Sequence, residues 1–150
     1  VKLVGDDPIK RILLPTAGGE HAQCAEQYAH SLVHAIDGHL TSCQVVSSKA
    51  TKEEAQISRN NLVRSLKRLR ARPRINLDDQ LIENDNVVEG IIQAAEDYDA
   101  VMIGAAGKSV YPQILFGSIP EEIAKKTNKT VLMVKHYHPV KALLGKVMSE

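Results

Sequence analysis

The residues of this sequence that are best suited to chemistry form a glycine-containing loop. In order along the chain it contains Gly104, Gly107, Lys108, Gly117, Ser118 and Ile119. Glycine allows a backbone to come close to a ligand, and the first turn of a helix offers unpaired N–H groups and about half a positive charge. The last three of these residues therefore form a candidate phosphate cradle, to which Lys108 would add a cation.

The spacing of the glycines excludes two common nucleotide motifs. A Walker A loop has four residues between its first glycine and its Gly-Lys pair, whereas two residues separate Gly104 from Gly107 here. The G-x-G-x-x-G pattern of dinucleotide-binding folds is absent as well. A purely structural interpretation stays open, in which these glycines only make a tight turn between a strand and a helix.

Two other groups of residues invite a chemical interpretation. Seven cations surround the second predicted helix and its end: Arg59, Arg64, Lys67, Arg68, Arg70, Arg72 and Arg74. Such a run is either a solvated helix face or a docking surface for an acidic partner or a lipid headgroup layer, and without interleaved aromatic residues it argues against nucleic acid. His30 and His34 have a metal-compatible spacing but no third ligand, and we expect both to be exposed.

Composition indicates one globular domain over residues 1–150, with a core at about 9–136 and a tail at 137–150. The chain is 43% hydrophobic and 25% charged, and a domain of this length folds without disulfides or a structural metal. Cys24 and Cys43 lack disulfide or zinc spacing, which favours a reducing, cytoplasmic location. The net charge of +1 gives no general attraction to nucleic acid. The sequence contains no Ser/His/Asp or Cys/His set in a known catalytic motif, so no residue pattern supports a hydrolytic enzyme.

Hydrophobic patterns predict five strands that alternate with four helices. The expected strands are residues 10–16, 39–47, 75–82, 100–104 and 130–135; the expected helices cover 22–36, 51–71 and 86–95 and begin again at 118. Tyr28 and Ile57 are assigned to the apolar stripes of the first two helices. We expect Gly38 to end the first helix and Asn86 with Glu89 to form a capping box on the third.

This alternation demands right-handed crossovers and a parallel sheet with helices on both faces, an α/β fold. Ligands of such open sheets bind beyond the carboxyl ends of the strands, at the point where the strand order reverses. The loops that follow Thr16, Val46 and Gly104 are therefore the candidate binding loops.

The pattern G-x2-G-x9-G-S, which Gly104, Gly107, Gly117 and Ser118 spell, resembles the nucleotide signature of the universal stress protein family. The similarity extends to three strand segments, at residues 11–16, 98–104 and 128–135. The resemblance implies a Rossmann-like sheet of five parallel strands in the order 3-2-1-4-5 and homodimers paired through the last strand, Thr130 to Lys135. In one branch it implies ATP between the first and fourth strands, with Mg²⁺ held by its phosphates.

The resemblance assigns a candidate nucleotide site residue by residue. Pro15, Thr16 and Ala17 would lie against the nucleoside, Val45 would meet adenine through its backbone, and the glycine loop with Ser118 and Ile119 would surround ribose and phosphates. ATP-binding members of the family usually carry Asp where this chain has Ala17. Losing a hydrogen bond to a charged group costs roughly 1.5–3 kcal/mol, or about 10- to 150-fold in affinity, and Thr16 would compensate in part.

We therefore expect a non-catalytic sensor domain that binds ATP, ADP or AMP, with at most slow ATP hydrolysis. The alternative is a dimeric interaction module of the same fold that does not bind nucleotide. The tail places Val140, Leu143, Leu144 and Val147 on one helical face. Together with the start at Val1 and the Thr-Ala-Gly-Gly loop, it resembles universal stress domains joined to transporters such as chloride channels and amino-acid permeases. On that resemblance the partner would be a parent membrane transporter.

Overall fold

Strands and helices alternate along the chain in the computed structural model, which describes residues 1–106 and 118–137. The strands are β1 (Arg11–Pro15), β2 (His39–Val46), β3 (Asn76–Glu83), β4 (Ala100–Gly104) and β5 (Thr130–Val134). The helices are α1 (Glu20–Ile36), α2 (Lys52–Arg70), α3 (Val87–Ala95) and α4 (Ile119–Lys126). The elements follow the order that the hydrophobic patterns predict, with ends that differ by a residue or two.

The strands form one parallel sheet in the order β3-β2-β1-β4-β5, which confirms the expected fold. Successive residues of a strand point to opposite faces of the sheet. Leu13 accordingly packs with α3 and α4 on one face, while its neighbours Ile12 and Leu14 pack with α1 and α2 on the other. The three side chains are fully buried, so β1 contributes core residues on both faces of the sheet.

The end of α1 differs from the predicted one. Asp37, not Gly38, takes the left-handed conformation, with φ of 49°. A Cβ on Gly38 would lie 2.6 Å from the carbonyl oxygen of Lys10, so this glycine is needed for close packing against the start of β1. The helix thus ends beside Gly38, whose N–H donates to the Val33 carbonyl at 2.9 Å, but the left-handed residue is Asp37 and not the glycine that the cap rule favours.

Two residues assigned to apolar helix stripes lie on the surface instead. Tyr28 is 60% exposed and Ile57 is 59% exposed. At 100° per residue, Ile57 faces away from the stripe of Leu62, Leu66 and Leu69, which are the side chains of α2 that enter the core. Tyr28 likewise falls outside the narrow arc formed by the alanines of α1.

The start of α3 shows half of the expected capping box. The side chain of Asn86 accepts a hydrogen bond from the Glu89 N–H at 3.1 Å. The N–H of Asn86, however, donates to the side chain of Asn84 at 2.8 Å and not to Glu89. The full reciprocal arrangement occurs at the start of α2, between Thr51 and Glu54.

The outer edge of β5 is partly covered by the first residues of the chain. Lys2 and Val131 exchange two antiparallel backbone hydrogen bonds of 2.8 Å. The Lys2 ammonium donates to the carbonyl of Thr127, and the Val4 N–H donates to the hydroxyl of Thr130 at 3.0 Å. A second copy pairing along all of β5 would have to displace this contact; dimerisation through this strand stays a prediction.

Candidate functional site

The sheet opens between the carboxyl ends of β1 and β4. β1 pairs with β2 along its whole length, from Arg11 to Pro15. With β4 it pairs only at Ile12 and Leu13, opposite Ala100 and Val101. Pro15 has no N–H to extend this ladder, and the helices that follow the two strands leave on opposite faces of the sheet. The resulting space, the β1/β4 crevice, lies at the predicted switch point.

The loop after β1 forms one wall of this crevice. Thr16 is buried; its N–H donates to the Cys43 carbonyl at 2.9 Å and its hydroxyl donates to Glu26 at 3.4 Å. Both of its donors are thus directed into the protein, so the hydroxyl could offer a nucleoside only an acceptor lone pair; its part in the nucleotide site stays a prediction. Ala17 is exposed at the mouth of the loop. Gly18 and Gly19 follow with φ of 79° and 86°, a conformation that favours glycine and turns the chain into α1.

Gly104 has a packing role in this structure. A Cβ at this position would lie 2.6 Å from the carbonyl carbon of His21 and 2.7 Å from the nitrogen of Ala22. The end of β4 therefore touches the first turn of α1 so closely that only glycine fits. The Nδ1 atom of His21 also accepts the N–H of His136 at 3.0 Å, which brings the exit of β5 to the same corner.

Val45 brings main-chain polar groups to the crevice. Alternate residues of a strand direct their N–H and C=O to opposite neighbouring strands. Cys43 offers its carbonyl to Thr16 on the β1 side, and Val46 offers its carbonyl to Asn84 on the β3 side. Val45 must therefore direct its N–H and C=O toward β1, which has already ended at Pro15. Its side chain is half-buried and packs on the core beside Gly90.

The cap at the start of α4 leaves two N–H groups of the first turn unused. Ser118 caps the helix by accepting the N–H of Glu121 at 3.4 Å, and Pro120 has no N–H. Of the orphan donors of a first helical turn, those that this cap does not use belong to Ser118 and Ile119. The side chain of Ile119 packs against the core. The other predicted residues of the loop, Gly107, Lys108 and Gly117, lie outside the described residues, as does the predicted tail.

Asp85 fixes the loop that follows β2, a role that the sequence analysis did not predict. Its carboxylate accepts the hydroxyls of Ser47 and Ser48 at 2.7 and 2.9 Å and the Ser48 N–H at 3.0 Å. These hydrogen bonds, with Lys49 at 3.4 Å, lower the pKa of Asp85 to about 2. A serine pair and an acid that follow neighbouring parallel strands are the signal that was missed.

A buried ion pair under the β1 loop was also missed. Glu26 is 2% exposed, and Arg68 reaches it from α2 with two hydrogen bonds of 2.6 and 2.7 Å. The hydrogen bond to Glu26 raises the pKa of Arg68. Glu26 falls on the alanine face of α1, and an acid in that position is a signal for a buried partner.

The described residues contain no group of three His, Cys, Asp or Glu side chains arranged to hold a metal. His30 is buried and its Nε2 lies 2.7 Å from the Pro73 carbonyl, so the prediction that both helix histidines are exposed was wrong for His30. His34 is exposed, with its ring stacked on that of His30. Burial raises the pKa of the Cys43 thiol to about 12. Within residues 1–106 and 118–137, no helix has the length and apolar character to cross a membrane.

Comparison with known proteins agrees with this architecture. The universal stress protein family model matches residues 8–135. A curated relative, universal stress protein MJ0577 of Methanocaldococcus jannaschii, is 28% identical, with 84% of this chain and 94% of the relative covered. A universal stress protein of Archaeoglobus fulgidus, solved in complex with dAMP, has a TM-score of 0.69 and 16% identity, with 85% and 98% covered.

A further similar structure is a universal stress protein family protein of Arabidopsis thaliana with AMP bound. Its TM-score is 0.63 at 12% identity, and the match covers 85% of this chain and 92% of that one. The structural matches show the shared fold, and the family model covers most of the chain. This chain therefore belongs to the universal stress protein family.

Proposed function

We propose that this chain is a non-catalytic regulatory domain that binds an adenine nucleotide in the β1/β4 crevice. The observation that carries the proposal is the backbone of Val45, whose N–H and C=O face a strand that has already ended. A strand edge of this kind offers one donor and one acceptor, the pair that the edge of an adenine base requires. The adenine nucleotides bound to the relatives from Archaeoglobus and Arabidopsis support the same ligand class.

The phosphates would lie at the start of α4. The N–H groups of Ser118 and Ile119 are those that the helix cap leaves unused, and the positive end of the helix favours an anion. Gly107, Lys108 and Gly117 would complete this cradle, as the family pattern implies. As the family resemblance implies, Mg²⁺ would be held by the phosphates of the nucleotide.

The domain would act by a shift between conformations and not by turnover. Glu26, the buried acid behind the β1 loop, is already occupied by Arg68 and Thr16 and is not a free base. Nucleotide would stabilise one arrangement of the glycine loop and so change the surface that a partner meets. In a cytoplasmic protein such a domain would regulate a linked unit, for which we propose a membrane transporter.

Ala17 favours a second candidate function, an interaction module that does not bind nucleotide. The side chain at this exposed position offers no hydrogen bond, and the donors of Thr16 are used internally. Calorimetric titration of the nucleotide-stripped protein with ATP, ADP and AMP plus Mg²⁺ separates the two candidates. Saturable binding supports the sensor, and no heat up to millimolar nucleotide supports the module.

Two substitutions test the geometry of the site. Val45→Pro removes the N–H that faces the crevice and is not needed by the β3 ladder, so we expect affinity to fall about tenfold. Because the Val45 side chain also packs on the core, the melting temperature of this variant is measured to separate lost binding from lost stability. Ala17→Asp restores the usual acid and should raise affinity. Asn128→Asp adds the same charge at the amino end of β5, away from the crevice, and serves as its control. Equal affinities in all variants would place the nucleotide elsewhere.

A further inference from the structure

The charges of this chain are segregated along the sequence. Residues 55–77 contain seven of the 19 Lys and Arg residues and none of the 18 Asp and Glu residues. The rest of the chain has twelve cations against eighteen acids. Residues 55–77 are therefore strongly basic although the net charge of the whole chain is near zero. They comprise most of α2 and its connection to β3.

Among the residues that the structure describes, one of these cations has an ion-pair partner. Arg68 binds the buried Glu26, and its side chain is 35% exposed. The other six are exposed: Arg59, Arg64, Lys67, Arg70, Arg72 and Arg74. Over residues 1–106 and 118–137, the remaining ion pairs lie elsewhere, at His39, Lys49 and Lys126. We call these six residues the α2 basic surface.

The helix itself does not account for this surface. Arg64 stands three residues before Lys67 and four before Arg68, and Lys67 stands three before Arg70, so like charges are neighbours on the helix and repel each other. The favourable interaction of cations with a helix carboxyl terminus is confined to its last turn. Arg59 lies well before that turn and Arg74 lies beyond it. A helix selected for solubility alone would alternate acids and bases.

The shape of the surface distinguishes among anionic partners. One groove of about 280 Å³ lies between α1 and α2, lined by Gln23, Glu26, Gln27, Arg68, Leu69, Ala71 and Arg72. A second of about 270 Å³ lies beside it, lined by Leu69, Arg70, Arg72, Pro73, Arg74, Ile75 and Leu77. Leu69 and Arg72 belong to both grooves. Apolar side chains in grooves bordered by guanidinium groups suit a peptide with acidic and apolar side chains, whereas a flat lipid surface cannot enter a groove.

From this combination of unneutralised charge and paired grooves, we propose that the α2 basic surface docks an acidic segment of a partner protein. Guanidinium groups bind carboxylates through two parallel hydrogen bonds, and Arg70, Arg72 and Arg74 are the arginines that border the second groove. Leucine-type side chains of the segment would occupy the second groove beside the half-buried Ile75 and Leu77. The proposal does not depend on nucleotide binding, because the grooves are formed by α1, α2 and β3, away from the β1/β4 crevice.

Fluorescence anisotropy with the whole chain tests the proposal. The probe is a short fluorescein-labelled peptide rich in Glu with interspersed Leu. We expect saturable binding that weakens with rising salt and falls at least about tenfold in the combined variant Arg70→Gln, Arg72→Gln, Arg74→Gln. The matched control, Lys10→Gln with Lys125→Gln and Lys135→Gln, removes the same number of exposed cations elsewhere and should bind within about twofold of the original chain. The melting temperatures verify that both variants are folded.

Three outcomes would overturn the proposal. Absence of peptide binding at low ionic strength would do so directly. An equal loss in the control variant would show a response to net charge and not to this surface. Sedimentation with phosphatidylserine-containing vesicles, lost in the arginine variant and unaccompanied by peptide binding, would identify a lipid surface instead.

Discussion

Gly104→Ala tests whether the first glycine of the nucleotide signature is a packing residue. The added Cβ would lie 2.6 to 2.7 Å from three backbone atoms of His21 and Ala22, where ordinary contacts are 3.4 to 4 Å. Since these atoms belong to the first turn of α1, they cannot rotate aside, and the helix must shift by nearly 1 Å. Overpacking of this kind lowers the free energy of unfolding by about 1–3 kcal/mol. We expect a loss of about 3 kcal/mol here, because the contacts are with backbone atoms.

For a domain of this length, each 1 kcal/mol lowers the melting temperature by about 2–4 °C, so we expect a decrease of about 6–12 °C. Thermal unfolding followed by circular dichroism, without nucleotide, measures it. Ala106→Ser adds one atom at an exposed position of the same loop and should change stability by less than about 0.5 kcal/mol. If Gly104→Ala unfolds at the original temperature and only nucleotide binding suffers, the packing argument is refuted.

Three further predictions concern buried or anchored groups. Glu26→Gln should lower the free energy of unfolding, measured with urea, by about 2 kcal/mol. This loss is smaller than that from breaking a fully buried ion pair, because the Arg68 side chain is 35% exposed; an unchanged urea midpoint would contradict this. In Asp85→Asn the lost stability should be greatest above about pH 5 and should vanish as the pH falls from about 4 through 2, since the folded pKa lies below the unfolded value. A thiol reagent at pH 8 should modify Cys24 in the folded protein and Cys43 only after denaturation, because Cys43 is buried with a pKa of about 12; rapid labelling of both would refute its burial.

The elements of this fold were predictable because each depends on a local pattern. The short apolar runs at Ile12–Leu14 and Val101–Ile103 have the length and composition of buried parallel strands, and both are buried in the structure. The cap at Ser118 is likewise a property of four consecutive residues. The order of the strands within the sheet was expected from the family resemblance, because the hydrophobic periodicity of this chain does not indicate it.

Predictions failed where a residue's role depends on a distant segment. His30 looked like an exposed histidine, but the Pro73 carbonyl, 43 positions away, makes it a buried hydrogen-bonded one. The hydrogen-bond partners of Thr16 were likewise decided by Glu26 and by the register of β1 against Cys43, while its part in the nucleotide site stays a prediction. Neither contact can be predicted from the spacing of neighbouring residues.

The candidate site shows the same division. The residue pattern was enough to assign glycines, a helix cap and strand ends to one edge of a parallel sheet, because hydrophobic period and turn chemistry are local. Three features required the folded structure: β1 stops before it reaches the level of Val45 on β2, Gly104 packs against α1, and Arg68 pairs with the buried Glu26. Register and helix packing join residues far apart in the chain, and these contacts exist only once the sheet has formed.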